Sequence, residues 1–310
     1  MCESVGRIMR QQIIRRKWLT LPVLWIVLVF VSPAYAQAVP EITAEAAVLM
    51  DLDTGEVLYG KQEHERRPPA SLTKVMTGYI AARAQSMLKQ EVTISELAAQ
   101  TGESSLNLKA EDVLYFEELL YGAMLKSAND ACVAIAEHMS GSEAVFVEDM
   151  NLQACLLGCA NTRFQNTNGL PAEDHYSSAY DLALMTRAAM QIPQFAHIVQ
   201  TQTHTVLWQD GRKLAIRNTN RLLREYPGAI GVKTGTTNEA GQCLIAVAEK
   251  DEKRLVVVVL KSKNRFYDAT VLLDYAFSSA QPEPNNLVLT KSGGLKEYAD
   301  SVILSEESGI

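Results

Sequence analysis

Arg254-Leu-Val-Val-Val-Val-Leu-Lys-Ser262 is the stretch on which the fold turns. Its run of β-branched residues, Val256 to Val259, is typical of a strand buried at the centre of a sheet. Such a strand needs neighbours. Gln242 to Glu249 supplies one, joined to it by the short charged turn Lys250 to Lys253. The other end of the chain supplies more. Ala46 to Met50 is a short apolar run, Asp51-Leu-Asp-Thr-Gly55 carries turn residues, and Glu56 to Tyr59 is a second strand, which together read as a hairpin. After the central strand, Phe266 to Phe277 has apolar residues at helical spacing.

Between these ends the chain reads as mostly helical from Leu72 to about Val199. Ser95 opens a short helix, and Phe116 to Leu125, Ala131 to Ala136, Glu143 to Leu157 and Ala179 to Met190 form others. Asn166-Thr-Asn-Gly169 marks a loop, and Thr201 to Val206 is a further strand. Strands at both ends with helices between them predict an α+β fold: one antiparallel sheet flanked by helices, plus a helical lobe.

Three short motifs stand out in order: Ser71-x-x-Lys74, Ser127-x-Asn129 and Lys233-Thr234-Gly235. Ser71 follows Pro68-Pro69-Ala70 and opens the periodic run Leu72, Val75, Met76, Tyr79, Ile80. Residues three apart on a helix are neighbours, so the Lys74 amine can meet the Ser71 hydroxyl and, if neutral, take its proton. The third motif sits in Gly231 to Thr237, where glycines let a ligand approach the backbone. Each motif also has a plain structural reading. Ser71 can be an N-cap, Asn129 or Asp130 can cap the helix starting at Ala131, and Lys233 can be a strand-edge charge. The ordered triple is what favours chemistry.

The chain has 310 residues, 47% hydrophobic, enough for one sizeable core or two lobes. Its first 36 residues carry Arg7, Arg10, Arg15, Arg16 and Lys17, then an apolar run from Trp18 to Val31, then Ala34-Tyr35-Ala36. That pattern predicts a secretory signal peptide, with an uncleaved anchor as the alternative. A catalytic domain is expected over residues 37–280. Gln281-Pro-Glu-Pro-Asn-Asn286 reads as a linker, and 281–310 as a tail without a complete second β-domain. Net charge is −7, with no basic stripe to suggest nucleic acid. The cysteines do not form a disulfide framework and read as buried small thiols. The five histidines show no metal-ligand spacing, so neither metal nor cofactor is expected.

The ordered motifs resemble those of penicillin-binding proteins and serine β-lactamases. The wider stretches Pro69 to Met76, Leu125 to Ala131, Asn166 to Leu170, His175 to Leu182 and Gly231 to Gly241 resemble the D-alanyl-D-alanine carboxypeptidase family of low-molecular-weight penicillin-binding proteins. The resemblance covers about Ala44 to Ser279. It implies a β-lactamase/transpeptidase-like fold and removal of the terminal D-alanine from peptidoglycan stem pentapeptides, blocked covalently by β-lactams. It implies Ser71 as acylated nucleophile, Lys74 as base and Ser127 as proton relay. Asn129, Lys233, Thr234, Gly235, Thr236 and Arg265 would bind substrate, with the backbone N–H groups of Ser71 and Thr236 as oxyanion hole. Arg265 also reads as a surface residue at a helix start.

Some positions depart from the family pattern. Ala128 stands where glycine is common, and Thr236 where histidine is common. The amphipathic C-terminal anchor of many members is not visible, so weak membrane association is the most the resemblance supports. The expected place of action is outside the cytoplasm, the periplasm or the outer face of the cytoplasmic membrane. A D,D-endopeptidase cutting cross-links fits the same motifs. A β-lactamase fits less well, since Glu173 and Asp174 lack an E-x-x-L-N context. A non-catalytic penicillin sensor would leave Ser71, Lys74 and Ser127 without purpose.

Overall fold

The computed structural model describes residues 39–279. The expected signal peptide, linker and tail therefore lie outside the described residues. The strands are β1 (Ala46–Asp51), β2 (Val57–Lys61), β3 (Glu91–Thr93), β4 (Val113–Tyr115), β5 (Thr203–Leu207), β6 (Lys213–Arg217), β7 (Ala229–Thr237), β8 (Gly241–Lys250) and β9 (Lys253–Ser262). The helices are α1 (Lys74–Arg83), α2 (Glu96–Gln100), α3 (Phe116–Tyr121), α4 (Asn129–Ser140), α5 (Glu143–Leu156), α6 (Ala179–Met190), α7 (Pro193–Gln200), α8 (Leu222–Glu225) and α9 (Arg265–Ser279).

One antiparallel sheet runs in the order β2-β1-β9-β8-β7. The valine run lies at its centre, with Val48 opposite Val258 on one side and Ile245 opposite Val258 on the other. Period-2 alternation divides β9 between two cores. Val256, Val258 and Leu260 face the larger core shared with α1, α4 and α6. Leu255, Val257 and Val259 face the smaller core, where α9 contributes Ala269, Leu272, Leu273 and Ala276. Asp268, in the first turn of α9, anchors this layer. Its buried carboxylate accepts from Thr43 N, Ala44 N and the Thr43 and Ser262 hydroxyls.

The α+β architecture expected from the sequence is the one observed. Two small ladders, β3-β4 and β5-β6, add to it. Of these only β5 is legible in the sequence; its partner β6 (Lys213-Leu-Ala-Ile-Arg217) buries only Ile216 and shows little apolar pattern. The open structural readings of the motif residues are resolved too. The helix N-cap next to the second motif is Ala128, and neither Asn129 nor Asp130 fills that position. Ser71 lies inside a 3-10 turn, Ala70–Thr73, capped at Pro69. Lys233 is fully buried although β7 is an edge strand. Among the cysteines, Cys132, Cys159 and Cys243 are buried free thiols, whereas Cys155 is exposed. Among the described residues no helix is long and apolar enough to cross a membrane, and no cluster of side chains is suited to hold a metal ion.

Candidate active site

Ser71 sits where the sheet edge meets the helical lobe. The 3-10 turn Ala70–Thr73 feeds directly into α1, which begins at Lys74. With three residues per turn, positions i and i+3 eclipse, so the Ser71 and Lys74 side chains stack more closely than on an α-helix. Lys74 Nζ lies 3.1 Å from Ser71 Oγ. Two glycines make room for the turn. A Cβ on Gly169, whose φ is +87°, would come within 1.9 Å of the Ala70 carbonyl oxygen. A Cβ on Gly235 would lie 3.1 Å from Ser71 N and 3.2 Å from Ala70 Cβ. Ala70 itself takes the left-handed φ of 50° between them.

Lys74 is fully buried. Its other acceptors are Asn129 Oδ1 and the Asn168 carbonyl, each at 2.7 Å. All three partners are neutral. Burial without a contacting carboxylate pushes the amine down to about 8, against weaker upward pulls that include Glu103 and Asp130. Lys233 is also fully buried and donates to the Thr234 carbonyl at 2.9 Å. It is pushed well below the usual lysine range, first by burial and then by the positive charge of Lys74. Two desolvated amines in one another's field resist holding two protons at neutral pH.

The second motif arrives by an irregular route. After α3 the chain makes a π-helical turn, Gly122–Lys126, and Ser127 takes the left-handed φ of 66° before α4 begins. This kink turns Ser127 into the cleft and gives Asn129 a central place. Asn129 Nδ2 donates to the Gly102 carbonyl at 3.0 Å, and its backbone N–H to the Ser104 carbonyl at 2.7 Å. Asp130 secures the same loop from below, accepting from the backbone N–H groups of Leu106 and Leu108 and from the Ser105 hydroxyl.

A cleft of about 230 Å³ joins these parts. Ser71, Ser127, Asn129, Thr234, Gly235, Thr236 and Arg265 all line it, with Lys74 and Lys233 packed behind. Arg265, the first residue of α9, donates from Nη1 to the Gly235 carbonyl at 2.8 Å and the Thr236 hydroxyl at 2.7 Å. It is therefore built into the site and is not a free surface residue. Every site residue expected from the sequence is in this one place.

A model of the D-alanyl-D-alanine carboxypeptidase family matches residues 33–264. The chain belongs to that family. DacF of Bacillus subtilis, a D-alanyl-D-alanine carboxypeptidase by name, is 41% identical over 248 residues, covering 78% of this chain and 64% of its own. Escherichia coli DacD, of the same name, is 38% identical over 249 residues, 76% of this chain and 63% of its own. The chain thus spans a little under two thirds of these relatives. Among solved structures, the Streptomyces K15 DD-transpeptidase matches with a TM-score of 0.73 and 33% identity, covering 78% of this chain and 99% of that one.

Other contributors to this family site gave no role in the sequence. Thr219, between β6 and α8, lines the cleft and shares a 2.7 Å hydrogen bond with the Thr234 hydroxyl. No motif marks it. The loop Asn166–Leu170 presents the Asn168 carbonyl to Lys74 and is fastened to α1 by Thr77, whose hydroxyl donates to the Thr167 carbonyl at 2.6 Å. His175 braces the turn from behind. Its Nδ1 accepts from Gln165 N at 3.0 Å, so Nε2 carries the proton and donates to the Thr73 hydroxyl at 2.8 Å. Burial holds this neutral ring down, to about 4.

Proposed function

We propose that the protein is a serine-type D,D-peptidase of the cell envelope that removes the terminal D-alanine from peptidoglycan stem pentapeptides, and that β-lactams acylate it at Ser71. The observation that carries this is the 3.1 Å contact between the Ser71 hydroxyl and a buried lysine whose amine is held below the usual lysine range. Neutral Lys74 accepts the hydroxyl proton as Ser71 Oγ attacks the carbonyl carbon of the penultimate D-alanine. The backbone N–H groups of Ser71 and Thr236 hold the oxyanion. Ser127 passes a proton to the departing D-alanine nitrogen as the C–N bond breaks. Water then cleaves the acyl ester and restores Ser71.

Thr234, Thr236 and Arg265 hold the substrate's terminal carboxylate, and Asn129 hydrogen-bonds its peptide. Gly235 lets the strand lie close to the nucleophile. Lys233 and Lys74 share their positive charge. A carboxylate arriving at the strand edge favours the proton on Lys233 and so frees Lys74 to act as base. The leader expected over residues 1–36 fits delivery to the periplasm or the outer face of the cytoplasmic membrane.

The test is to incubate the protein with stem pentapeptide and with a cross-linked dimer, following D-alanine and monomer release. Release of D-alanine from the pentapeptide, abolished in Ser71→Ala together with penicillin labelling, is the expected result. Cleavage of the dimer alone makes the protein an endopeptidase instead. A β-lactamase reading has little support, because neither Glu173 nor Asp174 lines the cleft.

A further inference from the structure

Lys74 is aimed by a backbone carbonyl as well as by side chains, and that carbonyl belongs to a loop without regular structure. Asn168 offers it at 2.7 Å. Within the loop, Asn166 Oδ1 accepts from Asn168 N at 3.3 Å and from Gly169 N at 2.7 Å. Asn166 Nδ2 donates to the Leu170 carbonyl at 2.8 Å. These bonds knot the loop to itself, but a knot can still move as a body. Thr167, which is fully buried, ties it to the helices. Its carbonyl accepts from the Thr77 hydroxyl on α1. Its N–H and its hydroxyl both donate to Glu143 Oε1 on α5, at 3.0 Å and 2.7 Å.

Glu143 is the first residue of α5, after the N-cap Ser142. An acid in the first turn ordinarily complements the helix dipole from the solvent side. This one instead takes both donors of a buried threonine, as charge-assisted hydrogen bonds, which are stronger than neutral ones. Glu143 does not line the cleft, yet the residue it holds is the immediate neighbour of Asn168. Resting on the D,D-peptidase reading above, we infer that Glu143 is a positioning residue for Lys74. It locks Thr167 to α5, so that the Asn168 carbonyl meets the amine and the amine's lone pair stays directed at the Ser71 hydroxyl. Without that lock the loop shifts, the ammonium form loses an acceptor, and the neutral amine loses its aim.

Those two losses leave a signature in pH. The titratable groups acting on Lys74 are Lys233 on β7, Cys132 and Asp130 on α4, and Glu103 after α2, and none is altered in the variants below. Stopped-flow acylation of the full chain by benzylpenicillin, from about pH 6 to about pH 10, is the measurement. Misplacement of the base should slow the limiting rate about tenfold, and loss of the carbonyl should lower the acid limb by about one unit. Glu143→Ala should therefore be about tenfold slower at pH 9 but only about twofold slower at pH 7. The half-saturating penicillin concentration should not change. Glu143→Gln removes the charge and keeps an oxygen for both Thr167 donors, so it should stay within about threefold of wild type at either pH. Thr167→Val keeps the backbone donor alone and should fall between the two. The double variant should be no slower than Glu143→Ala, since both changes act through one contact.

A deficit of the same factor at every pH marks a general structural role and overturns the inference. So does a Glu143→Gln variant as slow as Glu143→Ala, or a Glu143→Ala variant as fast as wild type. If Glu143→Ala does not fold, Thr167→Val decides by the same criterion: a deficit that grows with pH supports the inference, and a uniform one overturns it. Each of these failures leaves the D,D-peptidase reading intact. No acylation of the wild-type protein overturns that reading, and this inference with it.

Discussion

Placing a carboxylate against Lys74 should move the pH dependence of acylation upward. Asn129→Asp does so at the 2.7 Å position now held by the amide oxygen. In the wild-type protein the Lys74 amine titrates at about 8, so roughly one molecule in ten carries it neutral at pH 7 and roughly nine in ten at pH 9. Acylation by benzylpenicillin should rise about tenfold per pH unit below that value and level off above it. A buried opposite charge within contact range raises a lysine by on the order of two units. The acid limb of Asn129→Asp should therefore sit near pH 10, with acylation at pH 7 about a hundredfold slower. Loss of the amide's own contacts lowers the rate at every pH and leaves the position of the limb to report on Lys74. Glu103→Gln pulls the other way, because Glu103 supports the charged amine, and its limb should move below the wild-type position. Stopped-flow or quenched-flow acylation from about pH 6 to about pH 10.5 reads both limbs. An acid limb that stays in place in Asn129→Asp would show that Lys74 is not the base.

Further outcomes follow from the same geometry. Gly169→Ala drives a Cβ into the Ala70 carbonyl at 1.9 Å and should displace the loop that presents Asn168 to Lys74. Loss of several kcal/mol of stability and at least tenfold slower acylation are expected in denaturant melts and penicillin binding. Thr219→Val removes the hydroxyl partner of Thr234 and should raise KM for the pentapeptide several-fold with a smaller change in kcat. The neutral, buried His175 is held down to about 4, below its ordinary value of about 6.5. Its contribution is full above pH 6.5 and is lost as pH falls toward 4, about 3 kcal/mol in all. Urea melts at pH 7 and pH 4.5 should show wild type losing more stability than His175→Gln across that interval.

The valine run of β9 told most of the architecture because a strand buried on both faces leaves an unbroken apolar signature. The motif residues were legible because their chemistry repeats at fixed short spacings. What the spacing could not show was the local conformation that makes them meet. The 3-10 turn at Ala70–Thr73 and the π-helical turn before Ser127 each break the regular helical period, and both depend on packing from distant segments such as Gly169 and Gly235. Thr219, Asn168 and Glu103 were silent for a similar reason. They enter the site from loops whose position is set by hydrogen bonds from Asn129, Thr77, Asn218 and Asn220, which no periodicity records. Burial of Lys233 was equally hidden, since a charged residue on an edge strand normally points to water.

The most direct test is intact-mass and peptide-map analysis after brief exposure to benzylpenicillin. One penicilloyl group per chain is expected, on Ser71 in the peptide that also contains Lys74, and none in Ser71→Ala. An adduct on any other residue, or equal labelling of the Ser71→Ala variant, would contradict it.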